Sequence, residues 1–153
     1  TGPAQQAPRS QARSASRLAA VQALYQQQME QTALPRLLNE FHQHRLGQEI
    51  EDDQYAEAEV DFFDDIVSGV DARRDEIDEL LQSKLADGWK VDRLDKTMVQ
   101  ILRCGAYELL ARADVTKKTV ISEYIDVAHA FFDEREAKFV NGVLDSVGKA
   151  VRP

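Results

Sequence analysis

Arg13 and Arg17 stand four residues apart in a stretch with helical patterning, a spacing that stacks their guanidinium groups on one strip. A guanidinium can pair bidentately with phosphate oxygens, and Tyr25, further along the same helix, offers a ring on which an unpaired base can stack. Lys138 and Phe139 repeat the combination at the start of the last helix, where a cation, a ring and a helix N-terminus suit a phosphate beside an unstacked base. Each grouping also has a plainer reading. Arg13 and Arg17 can form a solvated basic face with Tyr25 partly in the core, and Phe139 can be an ordinary core side chain. Residue chemistry alone leaves both readings open.

Catalytic chemistry finds less support. His42 and His44 are two residues apart, so on a helix they point in different directions and cannot share one metal, and His129 has no Cys or His cluster to complete a zinc site. These histidines read as solvated. Cys104 lies beside Gly105 on an apolar helix, where a thiol behaves as a small buried hydrophobe. Asp52, Asp53, Asp61, Asp64 and Asp65 lack the alternating spacing and central glycine of a calcium loop, and read as a solvated acidic face. No glycine-rich phosphate loop occurs. The sequence therefore points to no catalytic residue, no metal and no cofactor, and to binding rather than turnover.

The distribution of charge favours the same reading. The first 29 residues hold Arg9, Arg13 and Arg17 and no acid, whereas residues 49–79 hold fourteen acids against two arginines, on a chain of formal net charge −8. Such a field repels a polyanion from most of the surface and leaves one end where nucleic acid can land. At 153 residues and 43% hydrophobic the chain suits a single globular domain. One cysteine excludes an internal disulfide framework and fits a reducing cytoplasm. No apolar run approaches the roughly 18 residues that span a bilayer, so no membrane association is expected.

The elements that must position these residues are helices. Residues 1–12 read as a flexible lead-in, followed by one all-α domain over 13–153. A helix from about Ser14 carries the stripe Leu18, Val21, Tyr25 and Met29, and a second with Leu34, Leu37, Leu38 and Phe41 ends near Gly47, before an acidic loop at 48–55. A third carries Phe62, Phe63, Ile66, Val67 and Val70, and a fourth Ile77, Leu80, Leu81 and Leu85, with a kink near Arg73–Asp75. Asp92 reads as the N-cap of a fifth helix through Leu94, Met98, Ile101, Leu102 and Leu109, with Asp95 favouring its positive end. A sixth begins near Thr116–Thr119, and a seventh carries Phe139, Val140, Val143, Leu144 and Val147. Strand alternation is nearly absent, so the class is all-α, about seven helices in two small bundles, with halves at 13–88 and 89–153.

Four segments together resemble the bacterial NusB family: AVQALYQ (Ala20–Gln26), DKTMVQILRCGAYEL (Asp95–Leu109), ISEYIDVAHAF (Ile121–Phe131) and KFVNGVLD (Lys138–Asp145). The resemblance implies a non-enzymatic transcription antitermination factor, cytoplasmic, that binds single-stranded boxA RNA together with NusE, a small-subunit ribosomal protein. It also implies work within the RNA polymerase antitermination complex, notably on ribosomal RNA operons. On this chain the implied RNA-binding residues are Arg13, Arg17, Tyr25, Lys138 and Phe139. The implied protein-partner surface starts at Asp95 and extends along its helix to Arg103, Tyr107 and Glu108. Ser14 and Ala15 interrupt the arginine cluster, which lowers the number of phosphate contacts, while Arg135 raises the positive potential near Lys138. Self-association as a homodimer through an exposed apolar patch stays open, and the alternative function is a helical protein–protein adaptor without direct RNA binding.

Overall fold

The computed structural model describes residues 3–43 and 56–153, with side chains described from Gln11 in the first segment and from Glu59 in the second. His44, Gly47, Asp52, Asp53 and the acidic loop expected at 48–55 lie outside the described residues. Among those described, the secondary structure is wholly helical, and no helix is long and apolar enough to cross a membrane. The elements are α1 (Pro3–Glu30), α2 (Leu34–Phe41), α3 (Ala56–Ala72), α4 (Arg74–Lys84), a 3₁₀ turn at Val91–Arg93, α5 (Lys96–Ala111), α6 (Lys117–Phe131) and α7 (Glu134–Val151). The chain divides into two compact units, Thr1–Gly69 and Val70–Pro153. The division falls inside α3 rather than at Gly88.

In the first unit, α1 begins at Pro3 rather than at the expected Ser14. The Ala, Gln and Arg residues ahead of Ser14 are good helix formers and extend the helix without large apolar anchors, against the opposing preference of Pro8, which has no N–H to donate. The buried stripe of α1 is also unexpected. It consists of Ala12, Ser16, Ala19, Ala20, Val21, Ala23 and Leu24, while Leu18 is half-buried and Tyr25 and Met29 are exposed. Small side chains let a neighbouring element approach closely, and Ser16 Oγ donates to the carbonyl of Glu59 on α3 at 3.1 Å. The turn after α1 places Gln31 at φ 55°, and Pro35 in the first turn starts α2. Leu37 and Phe41, four apart, form the inner face of α2. Phe41 stacks on Phe63 of α3 at 5.7 Å, with Phe62, Ile66 and Val67 completing the apolar face.

The second unit is built around α5, which packs against α4, α6 and α7 and is buried from Met98 to Leu109 except at Arg103. Its N-cap is Asp95, not Asp92: the Asp95 carboxylate accepts from the backbone N–H groups of Thr97 and Met98 at 2.8 and 3.1 Å, and Asp92 lies in the preceding 3₁₀ turn. Thr116 caps α6 by accepting from Thr119 N at 3.1 Å. Gly105 permits the close crossing of α5 and α7, since a Cβ there would lie 2.7 Å from a methyl of the buried Leu144. Arg152 then locks the end of α7. Its guanidinium donates to the carbonyls of Glu108, Leu109, Arg112 and Val115 at 2.7–3.0 Å at the end of α5 and in the following turn, those of Glu108 and Arg112 also accepting from the backbone N–H groups of Arg112 and Val115.

Cys104 is fully buried within α5, and burial pushes its thiol well above the ordinary value of 9.0, with the Glu108 carboxylate adding to the rise and Arg103 opposing it. The folded chain therefore keeps this proton while the unfolded chain releases it above that pH, so stability should fall as the solution turns alkaline. The slope approaches about 1.4 kcal/mol per pH unit. Urea unfolding of the chain and of Cys104→Ala between neutral pH and about pH 10 checks this: the variant should show the shallower decline, and parallel curves would contradict it.

Candidate nucleic-acid interface

The two arginines do meet, on a ring. The guanidinium carbons of Arg13 and Arg17 lie 4.5 and 4.9 Å from the centroid of Phe62, which is itself buried on α3. Four residues of helix bring both groups to the same strip, and the ring face offers a negative quadrupole to both cations. Beneath them sits Glu59, 1% exposed, with a carboxylate oxygen 3.8 Å from Arg13 Nε. A carboxylate that deep needs cationic company, because an isolated buried charge costs several kcal/mol. The arginines thus have an internal task that their spacing alone does not reveal.

They are not equivalent. Arg17 is 3% exposed, so the picture of two open guanidiniums on a solvent strip is corrected for this residue. Arg13 keeps 29% of its side chain exposed and is the group that can meet a phosphate without rearrangement. Tyr25 lies on the same helix, 39% exposed, rather than partly in the core. Twelve residues of α-helix separate it from Arg13, about 18 Å along the axis.

Lys138 and Phe139 belong to the second unit, near the start of α7. Lys138 is exposed and Phe139 half-buried, its ring stacked on Trp89 at 5.8 Å with 29° between planes. Trp89 is 52% exposed and was not singled out by the sequence reading, which gave no weight to a lone tryptophan in the turn before α5. A ring flanked by Lys90 and Arg93 was the signal available. Arg135 is exposed one turn from Lys138.

The residues expected at the protein-partner surface separate. Asp95 is exposed at the head of α5, but its carboxylate already caps the helix. Arg103 forms a bidentate pair with Asp78 of α4, both contacts at 2.8 Å. Tyr107 is buried, and Glu108, fully buried, accepts from the Tyr124 hydroxyl at 2.5 Å. The last three thus have internal work in the second unit. Of the histidines, His42 is not merely solvated: its Nε2 lies 2.5 Å from Asp64 Oδ1. His129 is exposed, 3.8 Å from Glu134. Among the described residues no group of three or more His, Cys, Asp or Glu side chains could hold a metal.

Residues 14–149 match the model of the NusB family. The transcription antitermination protein NusB of Novosphingobium aromaticivorans is 72% identical over 141 residues, covering 92% of this chain and 95% of that protein. Its counterpart in Sphingopyxis alaskensis is 62% identical, covering 94% and 97%. Among solved structures, T. maritima NusB aligns with a TM-score of 0.76 at 30% identity, covering 92% of this chain and 93% of that one. A crystal structure of the antitermination factors NusB and NusE in complex with dsRNA aligns at 0.77 with 24% identity over 92% and 98%, a likeness of fold.

The burial of Arg17 generates a stability contrast. Arg17→Gln removes a buried cation packed on the Phe62 ring and should cost about 1–3 kcal/mol, whereas Arg13→Gln, at a part-exposed position where an amide can still donate towards Glu59, should cost less. Urea midpoints of the two variants measure the difference, and equal losses would contradict the internal role assigned to Arg17.

Proposed function

We propose, since the chain belongs to the NusB family of transcription antitermination factors, that it acts by holding single-stranded boxA-type RNA together with NusE. It is a regulatory protein rather than an enzyme. The observation that carries the RNA reading is the half-open guanidinium of Arg13 resting on Phe62, with the exposed ring of Tyr25 further along the same helix. A phosphate binds Arg13 from the solvent side, and a base stacks on Tyr25. Arg17 supports this contact by packing on the same Phe62 ring. In the second unit, Lys138 supplies a further cation and Phe139 a further ring.

A protein of this fold is known with NusE and dsRNA, which supports the same two classes of partner here. The rings of this chain favour an unpaired strand, because bases in an A-form helix are stacked on one another and cannot stack on a side chain. NusE engages the exposed start of α5 at Asp95, and the shared RNA raises the joint affinity above that of either interface. Arg103, Tyr107 and Glu108 serve this surface from inside by keeping α5 rigid. The complex works in the cytoplasm with RNA polymerase, notably on ribosomal RNA operons. Self-association draws on the apolar surface that Tyr25 and Met29 leave on α1.

The proposal is tested by neutralising Arg13, which lies beside the buried Glu59, and by reversing the charge of the exposed Lys138. Arg13→Gln and Lys138→Glu should each weaken binding of a boxA-like oligoribonucleotide about tenfold or more, given roughly 1.5–3 kcal/mol for a charge-assisted contact. Filter binding at low salt reads the affinity, and circular dichroism should report unchanged helicity. Unaltered affinity in both folded variants would leave the protein-adaptor reading in its place.

A further inference from the structure

We infer that Trp89, stacked on Phe139, is a second base-binding platform of the RNA surface, a deepening that rests on the RNA reading above. The turn that carries Trp89 is built to hold the indole outward. Gly88 takes φ 89°, a left-handed conformation that favours glycine, and Gln82 of α4 clamps the following residues from both ends of its amide. Its Nε2 donates to the Trp89 carbonyl at 2.7 Å, and its Oε1 accepts from Val91 N at 3.0 Å. Two hydrogen bonds and a glycine thus fix a large apolar side chain in water, with 52% of it exposed and Val91 buried two residues later. Tryptophan is the side chain with most to gain from burial, so a fixed, half-bare indole has a cost that a ligand can repay.

The surroundings select an unpaired base. Trp89 and Phe139 lie 5.8 Å apart and 29° from parallel, a stack that leaves about half of Trp89 exposed. Lys90, Arg93 and Lys138 are all exposed in the same unit and suit the flanking phosphates. A cavity of about 330 Å³ beside the indole is lined by Asp87, Gly88, Trp89, Lys90, Arg93, Leu94 and Asp95. With two acids and two cations among its walls the cavity is balanced in charge, which suits a neutral, flat group with its phosphates outside. Indole and phenyl rings stack with any base, and the cations alongside answer the charge that a nucleotide brings.

Trp89 is the sole tryptophan of the chain, so its emission reports on this position alone. The intact chain is titrated with a single-stranded boxA-like oligoribonucleotide, with its duplex, and with the small-subunit ribosomal partner alone. Affinity is read separately from the anisotropy of labelled RNA. The single strand should quench Trp89 emission in step with binding, and the duplex should quench it far less. Trp89→Ala should weaken single-strand binding about tenfold, and Trp89→Phe should restore most of the loss. Both variants should remain fully folded under the binding conditions, and Trp89→Phe, which keeps a ring against Phe139, should lie nearer the unfolding midpoint of the parent chain than Trp89→Ala. RNA binding with unchanged emission, together with undiminished affinity of Trp89→Ala, would overturn this platform while leaving the RNA reading intact. A blue shift with the protein partner alone and no response to RNA would overturn it in favour of a protein contact. No RNA binding in any arm would overturn both.

Discussion

The contact on which the first unit turns is a phenyl ring under two cations, one of them beside a buried carboxylate. Glu59 cannot remain ionised in the interior without compensation, and Arg13 stands 3.8 Å from it while both Arg13 and Arg17 pack against Phe62. This constraint joins α1 to α3 and sets the height at which each guanidinium sits. For the RNA contact proposed at Arg13 it implies a moderated affinity, because a phosphate there would compete with a carboxylate already in place, and a second protein sharing the strand would add to it.

The second unit applies similar logic to its interior. Glu108 is held by Tyr124, Arg103 by Asp78, and the carbonyls at the end of α5 by Arg152, so the central helix carries its polar groups already satisfied. Rigidity there has a use at the surface. The capped start of α5, the clamped turn at Gly88 and the start of α7 are firm points from which Asp95, Trp89 and Lys138 project.

How much of this was legible in the residues varies with the physics involved. Apolar spacing located the seven helices of the described residues because burial of one stripe is what makes a helix stay folded, and the break at Arg73 was visible as a kink. The helix start at Pro3 was missed because propensity leaves no apolar pattern. Asp92 was preferred to Asp95 as a cap because both have the right chemistry, and only the 3₁₀ turn at Val91–Arg93 separates them. The four-residue spacing of Arg13 and Arg17 correctly put them side by side. It could not reveal Glu59, which lies 42 residues beyond Arg17 and meets the pair only through tertiary packing. The same holds for Arg103 and Glu108: their partners Asp78 and Tyr124 lie on other helices, so residues that read as a surface proved to be internal. Resemblance to the NusB family supplied what periodicity could not, namely the expectation that the cationic end meets RNA.

The claim that a half-open cationic face meets a transcript is tested most directly by the salt dependence of binding. For single-stranded RNA and the intact chain, log K should fall linearly with log salt concentration, by roughly 0.7 per phosphate neutralised. Two or so phosphate contacts give a slope near −1.4, and Arg13→Gln should reduce its magnitude by about one contact. An affinity indifferent to salt, or a slope that Arg13→Gln leaves untouched, would contradict the account.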